Sequence, residues 1–344
     1  MNTLEFKKYN SIENTYDKEF MEKIKMEIPD SMQFVVQEKV HGANCCFVTD
    51  GDTTRFAKRT SLVEVGELFY DYEKLLEKHR AQMLDMFQRV KEKYPEAGSV
   101  LIYGEMFGGK YPHPDVKNDS KVMNIQKGVF YSPVHEFYGY YIYVSASETG
   151  KFLSVDEIND LFEQEKFLYA KTLFRGNLDE CLKYPNDFQS CVANWLGLPA
   201  LDDNICEGIV IRPVEPVYLR NGARVLLKSK NSKFAEKKSV KKRQPRVFVE
   251  PTYSETLNDQ LTVVEEYITE NRLNNVVSKI GHISIPKEMG KLIGLFSKDI
   301  LEDYLKEYSG SYALLEKNEQ KILNCHANKQ AIDLIKEVYM NQRS

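Results

Sequence analysis

Apolar and polar residues alternate along much of the first two-thirds of the chain. The stretches "QFVVQEKV" (33–40), "EGIVIRP" (207–213) and "ARVLLKSK" (223–230) change character at short intervals. That is the period-two pattern of strands with one covered face. Two further runs, "GSVLIYGEMF" (98–107) and "EFYGYYIYV" (136–144), are β-branched and aromatic and are bounded by glycine or proline. Between these segments the period changes. In "VGELFYDYEKLLEKHRAQMLDMFQRVKEKY" (65–94), Leu68, Tyr72, Leu75 and Leu76 recur near helical spacing, and Pro95 follows the end.

The texture changes again at Lys228. "KSKNSKFAEKKSVKKRQPR" (228–246) holds one acid, Glu236, among many lysines and arginines, which suggests a basic linker. The last hundred residues are patterned as helices. Leu257, Leu261, Val264 and Ile268 repeat at helical spacing, with Gly281 beyond them. So do Ile293, Phe296, Ile300 and Tyr304, and then Ile332, Ile335 and Val338. The expected organisation is an α+β domain over 1–240 on antiparallel sheets, a basic linker at 241–250, and a small all-α domain over 251–344.

Composition narrows the class. The chain has 344 residues, 42% hydrophobic and 28% charged, enough for a packed core in one large or two ordinary domains. No apolar run approaches bilayer length. The first twenty residues lack a charged-then-apolar signal pattern, so an intracellular protein is expected. Cys45, Cys46, Cys181, Cys191, Cys206 and Cys325 form no C-x-x-C pair and read as reduced thiols. The six histidines are scattered, which argues against structural zinc. A net charge of −4 argues against whole-surface attraction to nucleic acid and leaves room for a local basic patch.

Several positions could carry chemistry. Lys39 ends an alternating strand and is followed by Gly42, where backbone can approach a ligand closely. A neutral lysine there could attack phosphorus, whereas a strand-end lysine in water has the same sequence. Lys228 and Lys230 leave one strand face and suit a polyphosphate, or guard a sheet edge. Glu105 in "YGEMFGG" and Glu207 in "CEGIVIRP" are lone acids in apolar runs, and each requires a partner. Glu207 is expected to share a strand face with Ile209 and Ile211. Arg59 in "AKRTS" offers a phosphate fork on a neighbouring hairpin strand. In the aromatic strand, Tyr138 and Tyr140 are expected on one face and Phe137, Tyr141 and Tyr143 on the other, with one ring free to stack on a base.

The order of these elements is more specific than any one of them. "EKVHGAN", "AKRTS", "YGEMFGGKYPHP", "VFYSPVHEFYGYYI", "CEGIVIRP", "YLRNGARVLLKSKNSKFAEKK" and "ENRLNNVVSKIG" follow one another in the chain. Together they resemble the RNA ligase 2 family of the covalent nucleotidyltransferase superfamily. The resemblance implies an ATP-grasp-like nucleotidyltransferase domain followed by a helical domain that engages RNA. It implies an ATP-dependent RNA ligase joining 3′-hydroxyl and 5′-phosphate ends at nicks in duplex or templated RNA. Lys39 would form a covalent lysyl-AMP. Glu38 and Val40 would flank the adenosine, and Asn44 would lie by the phosphate or ribose. Arg59 and Glu105 would hold the ribose and phosphate end, and Tyr140 would stack on adenine. Glu207 would act near the nucleophile and hold Mg2+, for which Mn2+ could substitute. Lys228 and Lys230 would contact the α-phosphate. Arg220, Lys233, Lys237 and Lys238 would meet RNA.

No membrane, no obligate protein partner, and a cytoplasmic protein or a viral or phage protein acting in host cytoplasm are also expected. Three positions depart from the family pattern: Ala43 for Ser or Thr, Tyr141 for Asp, and Arg212 for Lys. DNA ligases and capping enzymes generally follow the lysine with Asp-Gly and carry an OB barrel later. Here "KVHG" and helical periodicity stand instead. A catalytically dead RNA-binding subunit is disfavoured by the presence of Lys39, Glu207, Lys228 and Lys230.

Overall fold

The computed structural model describes residues 4–146, 150–235, 253–281, 283 and 287–340. The chain divides into two compact units, Met1–Lys233 and Phe234–Ser344.

In chain order the first unit runs β1 (Glu13–Asn14), α1 (Lys18–Glu27), β2 (Phe34–Lys39), β3 (Ala43–Thr49), β4 (Thr54–Lys58), α2 (Tyr72–Lys93) and β5 (Ser99–Phe107). It continues with β6 (Glu136–Ser145), β7 (Gly150–Phe152), α3 (Val155–Gln164), β8 (Thr172–Gly176), α4 (Leu178–Leu182) and α5 (Val192–Trp195). The strands β9 (Gly208–Pro213) and β10 (Leu227–Lys230) complete it. One five-stranded sheet has the order β1-β10-β9-β2-β8, the other β4-β3-β5-β6-β7. Among the pairings of these described strands, β1–β10 is parallel and the others are antiparallel.

Each sheet has a helix over one face. The helix α2 buries Leu75, His79, Met83, Met86, Phe87 and Val90. These join Phe47, Phe56, Ile102 and Phe137 in the larger core. Cys45 and Cys46 are buried in the same core, as strand packing. Against the first sheet, Phe20 and Ile24 of α1 pack on Phe34, Val36, Ile209, Ile211 and Leu227. The chain passes from one sheet to the other within three residues, between Lys39 and Ala43. A Cβ on Gly42 would lie 2.2 Å from the Met106 carbonyl oxygen, so only glycine lets the crossing run this close to β5.

Three sequence expectations are corrected. The helical period was expected to include Leu68, but Leu68 is 78% exposed ahead of α2. Gly66 and Tyr70 both have positive φ, which interrupts a helix before Asp71. The strand expected from Ala223 begins only at Leu227, and Arg224 makes an isolated bridge with Tyr218. In β6, Tyr103 pairs with Tyr141 and Gly104 with Gly139, leaving Tyr140 as the extra residue of a bulge. Strict alternation therefore breaks at Tyr140, and Tyr138 and Tyr140 need not share a face.

The second unit is helical: α6 (Glu255–Glu266), α7 (Glu270–Ile280), α8 (Met289–Leu314) and α9 (Lys317–Met340). Ser254 and Thr269 cap α6 and α7 by accepting from the third backbone amide. Leu292, Phe296, Ile300 and Tyr304 form the α8 seam. In α9 the buried seam is Leu323, Ala327, Ala331 and Ile335, and Ile332 lies outside it. Arg272 is buried between the helices, its Nη1 2.8 Å from both Asp299 Oδ2 and Asp303 Oδ2. Replacing it takes one partner from each carboxylate, while Lys279 and Lys306 still pair with them. Arg272→Met is expected to lower stability by about 1–3 kcal/mol, read from chemical denaturation of the full chain.

Candidate active site

Register brings the first three groups together. Along the first sheet, Lys39 pairs with Gly208 and Gly208 with Lys230. Two lysines thus flank a glycine, and the residue before that glycine is Glu207. Gly208 has φ +148°, and a Cβ there would lie 2.1 Å from the Ser229 carbonyl oxygen. This backbone turns Glu207 out of the alternation that buries Ile209 and Ile211 against α1. The expected common face for the three residues does not form. Instead the Glu207 carboxylate, 1% exposed, accepts from Lys39 Nζ at 2.7 Å and faces Lys230 Nζ at 3.0 Å through its other oxygen. His41 Nδ1 lies 3.6 Å away.

Burial alone would push Glu207 up. The charges of Lys230, Lys39 and His41 outweigh it and hold the carboxyl well below the usual range. Glu207 is therefore an anion that orients two lysine side chains. Lys228 lies two residues before Lys230 on β10, opposite Val210.

The second sheet supplies the facing groups. Asn44 on β3 pairs with Glu105 on β5. Burial pushes Glu105 up to about 7, against the pull of Lys39 and Arg59 and the Gly42 amide, with Glu207 adding to the rise. Arg59 directly follows β4, so its charge reaches both Glu105 and Tyr140. Asn44 Nδ2 donates to the Tyr140 hydroxyl. The bulge at Tyr140 re-aims that ring, as bulges beside sites do. Val40 is buried at the crossing.

Glu38 takes a different place from its neighbours. Its buried carboxylate accepts from Ser190 Oγ at 2.6 Å and Cys191 N at 2.8 Å, and its carbonyl accepts from the Tyr138 hydroxyl at 3.2 Å. Burial pushes it up to about 7, with the Ser190 and Cys191 bonds opposing. It anchors the turn into α5, where Trp195 stacks on Tyr138 at 6.5 Å and 5°.

Sequence reasoning missed several groups. Tyr131 accepts from the His41 amide at 3.0 Å, and Ser190 and Cys191 reach Glu38 across some 150 positions. Nothing local marks those contacts. His41 could have been found, because it stands two residues from Lys39. Of the expected RNA contacts, Arg220 and Lys233 are exposed, with Lys233 Nζ donating to the Gly128 carbonyl at 2.8 Å. Lys237 and Lys238, and most of the basic run, lie outside the described residues.

Two family models match this chain: "RNA ligase" over residues 32–230 and "T4 RNA ligase 2 C-terminal" over 251–333. The chain is 30% identical over 332 residues to RNA-editing ligase 1, mitochondrial, of Trypanosoma brucei brucei, covering 80% of this chain and 71% of that one. To RNA-editing ligase 2, mitochondrial, of the same organism it is 28% identical over 326 residues, covering 80% and 77%. A solved RNA ligase of Naegleria gruberi is 14% identical with a TM-score of 0.41, over 66% of this chain and 58% of that one. The family models together define a nucleotidyltransferase of the RNA ligase class with a helical second unit. The chain belongs to the RNA ligase family, in its RNA ligase 2 branch.

The electrostatics of Glu207 give a test of sign. Its folded value lies below its ordinary 4.5, so its stabilisation is present above 4.5 and is lost as pH falls through the folded value. Glu207→Gln should flatten the acid limb of the stability–pH curve, measured by denaturant unfolding at a series of pH values. It should also lower stability at neutral pH, because Lys39 and Lys230 lose their counter-charge.

Proposed function

We propose that this chain is an ATP-dependent RNA ligase that seals 3′-hydroxyl to 5′-phosphate ends in nicked duplex or templated RNA through a lysyl-AMP on Lys39. The observation that carries the reading is the single buried carboxylate of Glu207 shared by Lys39 and Lys230.

Lys39 Nζ, once neutral, attacks the α-phosphorus of ATP, forming the P–N bond as the bond to pyrophosphate breaks. Lys230 holds its ammonium beside the nucleophile through Glu207, where it can offset charge on the α-phosphate. Lys228 and Arg59 add to this positive field. Asn44 and Glu105 suit the ribose and phosphate end, and Tyr140 suits the base. A 5′-phosphate oxygen of RNA then takes the AMP and frees Lys39. Finally the 3′-hydroxyl attacks the activated phosphorus and AMP leaves. Such transfers depend on alignment and charge neutralisation more than on elaborate acid–base machinery.

Among the described residues no cluster of three metal-ligating side chains occurs. The donor set fits a Mg2+ held mainly by nucleotide phosphates and water, with one protein carboxylate, as Mg2+ prefers. Glu207 would be that carboxylate as Lys39 leaves it. When bound, the ion neutralises phosphate charge, and Mn2+ can take its place. The helical unit and the basic run are assigned to RNA, since A-form duplexes are recognised through shape, phosphates and 2′-hydroxyls.

Incubation with ATP labelled at the α-phosphate should label the native chain and leave Lys39→Ala unlabelled. Labelling from GTP alone would favour a capping activity, and no labelling at all would favour a binding subunit. Removal of residues beyond 247 should spare adduct formation and reduce nick sealing by at least about tenfold. Unimpaired sealing by the truncated chain would remove the role given to the helical unit.

A further inference from the structure

Two buried arginines lie outside the set of residues assigned above. Arg212, on β9, is 1% exposed, and Arg224, in the segment before β10, is 5% exposed. The guanidinium carbon of each is 3.9 Å from the centroid of the Tyr141 ring, and that of Arg224 is also 3.7 Å from the Phe152 centroid. The two positive charges therefore sit around one aromatic side chain. Arg212 Nη1 donates to the Tyr140 carbonyl at 2.9 Å. Arg212 Nε, Arg212 Nη2 and Arg224 Nη1 are buried without any acceptor among the described residues. No carboxylate among those residues forms an ion pair with either arginine.

This arrangement is costly as it stands. A guanidinium cannot relieve burial by losing its proton. Contact with aromatic faces offsets part of the loss of hydration. It supplies no acceptor for the in-plane N–H groups, and it does nothing for repulsion between the two cations. Buried charges are normally paired and hydrogen-bonded. Both arginines line the same narrow cleft, walled by Leu153, Val155, Pro213 and Val225, which as the side chains stand is too tight for a water molecule. The two guanidinium groups are the charged groups among its lining residues. An occupant enters only as these side chains part.

We infer that Arg212 and Arg224 form a binding site for a small oxyanion of the phosphate class, held by their unpartnered N–H groups at this cleft. A tetrahedral oxyanion presents several acceptors at once, which matches planar forks that donate in pairs. It also supplies the negative charge that the surrounding protein lacks. The Tyr141 ring then acts as the wall that keeps the two forks apart. The site stands whether or not Lys39 is the nucleophile.

The test is an NMR titration of arginine side-chain N–H groups in the full chain with inorganic phosphate, using chloride at matched ionic strength as control. The Arg212 Nε signal is assigned from its loss in Arg212→Lys. It should shift saturably with millimolar phosphate and stay in place with chloride. Arg224→Lys, which keeps the charge and removes the fork, should weaken the phosphate dependence by about tenfold or more. Lys39→Ala should leave the dependence unchanged. An Arg212 signal indifferent to phosphate would overturn the site and leave the Tyr141 and Phe152 rings as the groups that carry the two buried charges. Loss of the shift in Lys39→Ala would also overturn it, by placing the phosphate among the lysines. If Arg224→Lys fails to fold, the titration of the native chain decides by itself.

Discussion

The candidate site depends on one buried carboxylate held between two lysines. Glu207 can remain ionised in the interior only because Lys39 and Lys230 meet its two oxygens. The dependence runs both ways, since neither lysine would keep its place without the acid. The contact ties together the ends of three adjacent strands, β2, β9 and β10, and it requires the register that sets Lys39, Gly208 and Lys230 side by side. It also sets a condition on reactivity. In the proposed mechanism Lys39 would leave Glu207 to reach a phosphorus atom, and Lys230 would stay behind as the counter-charge.

The second sheet faces this triad because the crossing at Gly42 is so short. A longer or bulkier link would move Asn44 and Glu105 away from Lys39. The bulge at Tyr140 is a further local break in regularity, and it falls at the ring assigned to the base. The irregular points of the fold, Gly42, Gly208 and Tyr140, thus cluster at the candidate site. The regular parts, α1 and α2 with the sheets they cover, serve as the frame.

Much of this was legible in the sequence. Period-two runs identified β2 and β9, β-branched and aromatic runs identified β5 and β6, and the spacing of apolar residues identified α6, α8 and α9 of the second unit, but not α7. Lys39, Glu105, Glu207 and Lys230 stood out as charged residues set in otherwise apolar strands. Their order along the chain carried the resemblance that the family models bear out. What stayed hidden depends on distant pairing or on backbone conformation. The place of Glu38 is decided by Ser190 and Cys191, which no local pattern connects to it. The turn of Glu207 away from Ile209 follows from a positive φ at Gly208, which a strict alternation cannot express. Leu68 matched a helical period but lies between two positive-φ residues, Gly66 and Tyr70, ahead of the helix. Tyr141, a departure from the family pattern, gained a physical setting only when Arg212 and Arg224 were found against its ring.

The central claim is that Lys39, rather than either lysine of β10, is the residue that becomes covalently bonded to AMP. Peptide mapping by mass spectrometry after incubation with ATP and Mg2+ tests this most directly. The account predicts a single adenylylated peptide containing Lys39. Adenylylation at Lys228 or Lys230, with Lys39 unmodified, would contradict it.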